Sequence, residues 1–342
     1  MITISDVDTR KAFDIVNILK SKGYSLSLHS TKSFFERAFL SLVYLKPVKK
    51  SLDKESPLLP TEDTTIKSII DKNYKAILPP KDSFEIALDK ERFAKFCEEK
   101  GFDAPKLFLE EDVKNFKEFI PLIIKPKSGS GALGIEYIDS LEEFEKLEVD
   151  FKEYIIQERL KETREVEGAF FLYHDKKLIS FYSHKRLKTY PKSGGVTIHS
   201  VSTYNEELKK IGERVLQELN WSGFAMIEFI KDGDSYKIIE LNPRVWGSMM
   251  LSEFCGTNML ENYVWILEGK KPKKGEVKVK KHIRWLIPWD MGYLLKNLYK
   301  LDRKDSCYIN FSYAPFYSSF LFLLYNVLNP KIIKKLFKKI LL

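Results

Sequence analysis

Glu228, Glu240 and Asn242 lie within one short run, GFAMIEFIKDGDSYKIIELNPR, and their types and spacing suit metal chemistry. The middle of the run, Lys231-Asp232-Gly233-Asp234, has the composition of a tight reversal between two apolar segments, so the whole reads as a β-hairpin. Strand side chains alternate, which puts Glu240 and Asn242 on one face. Folding about the turn brings Glu228 opposite Glu240, with Met226, Ile230 and Ile238 expected on the same side. Two bare carboxylates so placed repel, and a cation resolves the conflict. Two carboxylates and an amide are hard oxygen ligands of the kind Mg²⁺ takes when it is carried on nucleotide phosphates. The competing reading is a solvated strand face with incidental acids, which the apolar neighbours disfavour.

A second group lies upstream. Lys125 ends the apolar segment FIPLIIKP, and Ser128-Gly129-Ser130-Gly131-Ala132-Leu133-Gly134 follows. Small residues let backbone N–H groups approach phosphate oxygens, and the neighbouring lysine supplies charge. Because the lysine precedes the glycines, this is not a Walker A loop. Alone, such a loop is ordinary turn chemistry; with a metal-binding hairpin elsewhere in the chain it describes a nucleotide site.

These groups need elements to hold them. MITIS reads as a strand, Thr9 to Lys22 as an amphipathic helix stopped by Gly23, SLSLH as the next strand and YKAIL as a later one before Pro79-Pro80. This is a small parallel α/β unit, and without GxGxxG after its first strand it is not a dinucleotide-binding unit. DKERFAKFCEEKG reads as a helix, FIPLIIKP and YIIQERL as strands, and 140–152 as a charged helix. Long strands then follow in GAFFLYHD, KLISFYSHKRL and GVTIHSVS, with a helix over 205–219 before the hairpin. The fold class is α/β with α+β character in the centre. Domains are expected at 1–88, 89–285 (a small lobe to about 158, a large lobe from 159) and a helical extension at 286–342.

The ordered set IIKPKSGSGALG, YIIQERL, HKRLKTYPKSGG, WSGFAMIEF and IIELNPRVWGS resembles the ATP-grasp superfamily, in the branch of the carbamoyl-phosphate synthetase large subunit and the single-chain carboxylate-amine ligases. The resemblance spans about 90–290. It implies that Lys90 and Lys125 contact the α- and β-phosphates of ATP and that Ser128, Gly129, Ser130 and Gly131 cover the phosphates. It further implies that Gln157, Glu158 and Leu160 hold adenine and that Glu165, or equally Glu167, takes the ribose. Glu228, Glu240 and Asn242 correspond to the ligands of one or two Mg²⁺ ions, with Mn²⁺ as a substitute. Arg244, helped by Lys185 or Arg186, corresponds to the cation at the transferred phosphate, and Ser193-Gly194-Gly195 and Trp246-Gly247-Ser248 resemble acceptor-side loops. The implied reaction activates a small-molecule carboxylate as an acyl phosphate and joins it to an amine. The alternatives are a nucleotide-responsive binding or assembly module and a small-molecule kinase.

Composition agrees with an enzyme of this kind and excludes other classes. The 342 residues, 44% hydrophobic and 31% charged, rule out a disordered or fibrous chain. The three cysteines, Cys97, Cys255 and Cys307, are far apart and without partner spacing, which reads as reduced, buried thiols. The five histidines lack partners that would define a triad and read as structural or substrate contacts. The net charge of +9 forms no nucleic-acid motif. Neither a signal peptide nor a spanning segment is expected, which suggests a cytoplasmic protein. Residues 313–328 are strongly apolar, and in KIIKKLFKKILL one stripe is apolar while Lys331, Lys334, Lys335, Lys338 and Lys339 form the other. This is the pattern of an interfacial helix on an anionic membrane surface, at the inner face of the membrane; the competing reading packs it on the chain itself or on a second subunit of a homodimer.

Overall fold

The computed structural model describes residues 1–115, 119–129, 134–160, 165–190, 196–297 and 301–328. The first run contains β1 (Ile2–Ile4), α1 (Arg10–Ser21), β2 (Leu26–His29), α2 (Phe34–Tyr44), β3 (Val48–Lys49), β4 (Leu58–Leu59) and α3 (Asp63–Ile69). Next come α4 (Lys81–Leu88), α5 (Lys90–Glu99), β5 (Leu107–Phe108), α6 (Glu110–Asn115), β6 (Leu122–Pro126), β7 (Glu136–Ile138), α7 (Leu141–Glu145) and β8 (Tyr154–Glu158). The third run holds β9 (Val166–His174), β10 (Lys177–Tyr190), β11 (Val196–Thr203), α8 (Glu206–Glu218), β12 (Gly223–Asp232), β13 (Ser235–Asn242), α9 (Met249–Phe254) and α10 (Met259–Leu267). It closes with β14 (His282–Arg284), α11 (Met291–Lys296), β15 (Ser306–Tyr308) and α12 (Phe316–Leu328).

Three sheets result. The first, β3-β2-β1-β4, is wholly parallel. The second, β5-β8-β6-β7, is antiparallel. The third, β13-β12-β9-β10-β11-β14-β15, is antiparallel up to its last pair, where β14 and β15 run parallel. The architecture is mixed α/β, as expected. Local sequence explains the element starts: Asp89 accepts from the N–H groups of Glu91 and Arg92 at the start of α5, Asn205 does the same for α8, and Ser33 with Glu36 forms a capping box on α2.

Several expectations are corrected. YKAIL at 74–78 forms no strand; the fourth parallel strand is Leu58–Leu59, too short to show alternation in the sequence. The charged helix expected over 140–152 stops after Glu145, leaving only one helical turn with a single buried residue, Phe144. Ile238 does not stand beside Glu228. A bulge between the Glu228–Glu240 and Phe229–Ile238 pairs shifts the alternation by one residue and sends Ile238 to the opposite face, into a core with Phe229 and Tyr236. The stretch expected as a helical extension supplies a strand, β15, and α12 packs on α2, with Phe322 stacked on Phe13 of α1 at 4.2 Å. No helix among the described residues is long and apolar enough to cross a membrane. The expected basic helix at 331–342 lies outside the described residues.

The large sheet is covered on both faces. On one, Phe170, Tyr182 and Trp246 pack with α1, α9 and α10; on the other, Phe171, Ile227 and Phe229 pack under α8. The second face is tight, because a Cβ on Gly212 of α8 would stand 2.2 Å from Cζ of Phe171. Gly212→Ala is therefore expected to lower stability by about 1–3 kcal/mol through overpacking, outweighing a helix-propensity gain of about 1 kcal/mol. Urea unfolding measures it, and an unchanged midpoint would contradict this account of the packing.

Candidate functional site

In the hairpin β12–β13, Glu228 pairs directly with Glu240 and Met226 with Asn242. The next strand, β9, places Gly168 opposite Glu228 and Phe170 opposite Met226. Glycine at 168 is required by packing: a Cβ there would lie 2.6 Å from the Phe170 ring and 3.0 Å from Nε2 of His184. The site face is therefore a strip of carboxylates over an aromatic floor.

Cations converge on this strip from three elements, α5, β6 and β10, and from Arg244 just beyond β13. Arg186 of β10 pairs with Glu228. Lys90, the first residue of α5, reaches Glu240 at 3.7 Å and donates to the Gly129 carbonyl at 2.9 Å. The side-chain amide of Asn242 donates to Glu240 at 2.9 Å, and Arg244 donates to Asn242 at 3.4 Å and to Asp63 at 3.0 Å. Lys125 of β6 is buried beside them and makes no ion pair among the described residues. Across the cleft Glu158 of β8 pairs with Lys237 of β13, which joins the small sheet to the large one.

The electrostatics follow from crowding. Burial raises the Glu228 carboxyl above its ordinary value and the Glu240 charge raises it further, against the pull of Arg186. Burial works against the Glu240 charge too, but Lys90, Lys125 and the Asn242 amide outweigh it and hold that carboxyl below its ordinary value. The Lys125 ammonium is brought down to about 8, chiefly by burial and secondarily by Lys90, with the two glutamates opposing. Burial lowers the Arg244 guanidinium, but Asp63 and Glu62 more than offset it, leaving the group above its ordinary value.

The other sequence-selected residues divide. Gln157 is buried in β8 and donates to the Pro105 carbonyl, with its own Oε1 unpartnered; Leu160 is half-buried beyond the end of that strand. Ser128 and Gly129 are exposed, and Gly129 takes a φ of +120°. Ser130 and Gly131 lie outside the described residues, as do Ser193, Gly194 and Gly195. Lys185 does not join the carboxylates. Being adjacent to Arg186 in a strand, it points to the opposite face and pairs with Glu167 at 3.3 Å and Glu165 at 3.5 Å. Neither of those acids enters the cluster; Glu167 is buried against the Tyr236 hydroxyl. Trp246 is a core residue on Phe170 rather than an acceptor contact, and Gly247 accepts from Arg10 at 2.8 Å. His184 is buried edge-on against Phe170, and burial holds it neutral, down at about 3; His199 contacts His282 at 3.0 Å. Asp63 and Lys11, which flank Arg244, were not apparent in the sequence, since nothing local marks a residue 181 positions from its partner.

Residues 87–248, the stretch that carries both groups of cations and the hairpin, match the family model described as an ATP-grasp domain. The chain carries an ATP-grasp domain. It is 24% identical over 263 residues to the carbamoyl phosphate synthase large chain of Thermoanaerobacter sp. (strain X514), a match that covers 70% of this chain and 24% of that one. The chain thus spans only a quarter or so of the length of this curated relative. Among solved structures, the biotin carboxylase–β-γ-ATP complex from Campylobacter jejuni superposes with a TM-score of 0.66 at 14% identity, covering 82% of this chain and 74% of that one. The biotin carboxylase domain dimer of Hydrogenobacter thermophilus 2-oxoglutarate carboxylase, in complex with MgADP, ADP and bicarbonate, gives 0.65 at 12% identity, covering 82% and 73%. These likenesses show the fold.

Lys125 yields a test on this domain. Its ammonium is held near 8 against an ordinary 10.5, so a phosphate brought beside it restores the charge and draws in a proton at pH values between the two. Were Lys125 to take a nucleotide phosphate, binding at a pH of about 8.5 would take up a proton and weaken as pH rises further. Calorimetry in two buffers of different ionisation enthalpy reads the uptake, and Lys125→Met should abolish it. Binding without proton exchange in the unaltered protein would contradict the placement.

Proposed function

We propose that this protein is an ATP-dependent ligase that activates a small-molecule carboxylate and joins it to an amine. The observation that carries the reading is the direct opposition of Glu228 and Glu240, with Asn242 beside them and Lys90, Lys125, Arg186 and Arg244 around the strip. The ATP-grasp domain and the likeness to a carbamoyl phosphate synthase large chain support it, as do structural neighbours solved with an ATP ligand or with MgADP and bicarbonate. On this reading the ATP-binding unit spans about 89–285, preceded by the parallel-sheet unit.

The donor set fits magnesium carried by a nucleotide. Among the described residues no group of three or more His, Cys, Asp or Glu converges, so the chain offers two carboxylates and an amide and leaves the remaining positions to phosphate oxygens. Magnesium held by Glu228, Glu240 and Asn242 would neutralise phosphate charge. The rest falls to the chain's own side chains. Lys125 and Lys90 compensate the phosphates, and Arg186 and Arg244 flank the point where charge accumulates during transfer. A carboxylate oxygen of the substrate attacks the γ-phosphorus, the bond to the bridging oxygen breaks, and ADP departs. The amine then attacks the acyl carbon, and phosphate leaves as the nitrogen gives up its proton. No nucleophilic side chain is required, in keeping with the burial of all three cysteines.

The assay is ADP release against a panel of carboxylates, with and without amines. Amine-dependent amide formation is expected; ADP release that needs no amine would mark a small-molecule kinase instead. Glu240→Gln is expected to lower turnover by about two orders of magnitude or more while leaving the unfolding midpoint near that of the parent. Full activity in that variant would remove the hairpin from the chemistry.

A further inference from the structure

The N-terminal unit and α12 carry a surface that the ligase reading does not use. On α2, Phe34, Phe35 and Leu42 are 71%, 82% and 61% exposed; on α12, Phe316, Phe320 and Val327 are 82%, 55% and 61% exposed. The spacing in each helix puts these residues along one side. The two helices are packed together, through Phe39 on Tyr325 at 6.0 Å and a hydrogen bond from Ser318 to the Val43 carbonyl at 2.8 Å. Their inward sides are already filled, Phe322 lying on Phe13, so the outward stripes are not a core in waiting. Exposed apolar residues grouped along two helices that pack together are a feature of docking surfaces.

Charge identifies the occupant. Residues 306–330 include no charged side chain, so α12 presents only neutral groups. The charges that flank α2 in the sequence are mostly basic: Lys32, which pairs with Asp8 at 3.5 Å, precedes the helix, and Lys46, Lys49 and Lys50 follow it. The acid of α2, Glu36, is engaged in capping Ser33 and accepts from the Tyr325 hydroxyl. In the sequence five more lysines, from Lys331 to Lys339, follow α12 directly. A second copy of the chain docked here in an isologous pair would set these lysines against their own equivalents, and residues 329–342 folded back onto this face would add five more lysines to them. Exposed phenylalanines on two packed helices, with lysines flanking α2 and following α12 in the sequence, match an anionic bilayer, which takes the rings at the headgroup boundary and the ammonium groups at its phosphates.

We propose that the face formed by α2 and α12 docks this protein on an anionic lipid-bilayer surface. The proposal goes beyond the ligase reading and stands whether or not an amine is the acceptor. The test is co-sedimentation of the full chain with vesicles of phosphatidylglycerol and phosphatidylcholine, and with phosphatidylcholine alone. Binding is expected only to the anionic vesicles, weakened by salt, and lowered about tenfold or more in Phe35→Ser/Phe320→Ser, whose ATP turnover should be unchanged. A chain ending at residue 328 should keep part of the binding, still dependent on Phe35 and Phe320. No binding by the full chain overturns the proposal. So does binding that ignores the two substitutions and disappears on truncation, which would assign it to residues 329–342 alone. A dimer in sedimentation that the substitutions dissociate, with no vesicle binding, overturns it in favour of a second copy.

Discussion

Two carboxylates set directly across a β-ladder on a nearly buried face constrain everything near them. Charges about 4 Å apart repel by roughly 4 kcal/mol at an effective dielectric of about 20, a sizeable fraction of the stability of a whole domain. Glu228 and Glu240 persist because Arg186, Lys90, Lys125 and the Asn242 amide reach them from separate elements. The compensation is uneven. Glu228 is pushed toward its neutral form and Glu240 away from it, so the pair is divided between a group that resists charge and one that keeps it. A divalent cation would favour the charged form of both, and the division leaves the pair responsive to one.

Such a strip also has to coexist with a core, and two bulges reconcile them. In β13 the irregularity between Ile238 and Glu240 lets Tyr236, Ile238 and Leu241 stay in the core under α8 while Glu240 and Asn242 face the cleft. In β10 the pairing slips between Arg186 and Lys188, leaving Leu187 half-exposed. Arg186 thereby points to Glu228, while Lys188 crosses to the other face and pairs with Asp290 at 2.6 Å. Regular strands would align 186 with 188 and 238 with 240. The bulges separate the chemistry from the packing within each strand, a recurrent use of bulges beside functional sites.

The distribution of what was legible in the sequence follows from the same geometry. The hairpin acids could be read because alternation and a two-residue turn are local, and α5 because Asp89 caps it locally. Ile238 was misplaced because a bulge leaves no mark in composition. Lys185 and Arg186 could not be separated without knowing which face each strand position takes, whereas Glu165 and Glu167 looked equivalent because residues two apart share a side, and both in fact meet Lys185. Strands of two or three residues, β4 and β15, are fixed by neighbours rather than by their own pattern. The docking of α12 on α2 joins residues 275 positions apart, which no local rule reaches.

Distance along the chain also conceals the part played by the N-terminal unit. Three residues just beyond the hairpin are gripped by it: Arg244 by Asp63 at 3.0 Å, the Val245 carbonyl by Lys11 at 3.4 Å and the Gly247 carbonyl by Arg10 at 2.8 Å, with Arg10 also lying over Trp285 at 4.1 Å. Lys11 is held by Glu62 at 3.0 Å and lowered to about 8, first by burial and then by Arg244. A free arginine side chain has about 2 kcal/mol of rotamer entropy to lose on binding. Asp63 removes much of that freedom before any substrate arrives, at the expense of sharing the guanidinium charge. Two of the Arg244 nitrogens nonetheless remain directed at the Val245 carbonyl and at Asn242, so the group is oriented toward the carboxylate strip rather than away from it. Because the clamp comes from the starts of α1 and α3, at the carboxyl ends of parallel strands, the N-terminal unit is a structural part of the cleft. Loosening it would cost orientation at Arg244 even with every residue of the ATP-grasp domain intact.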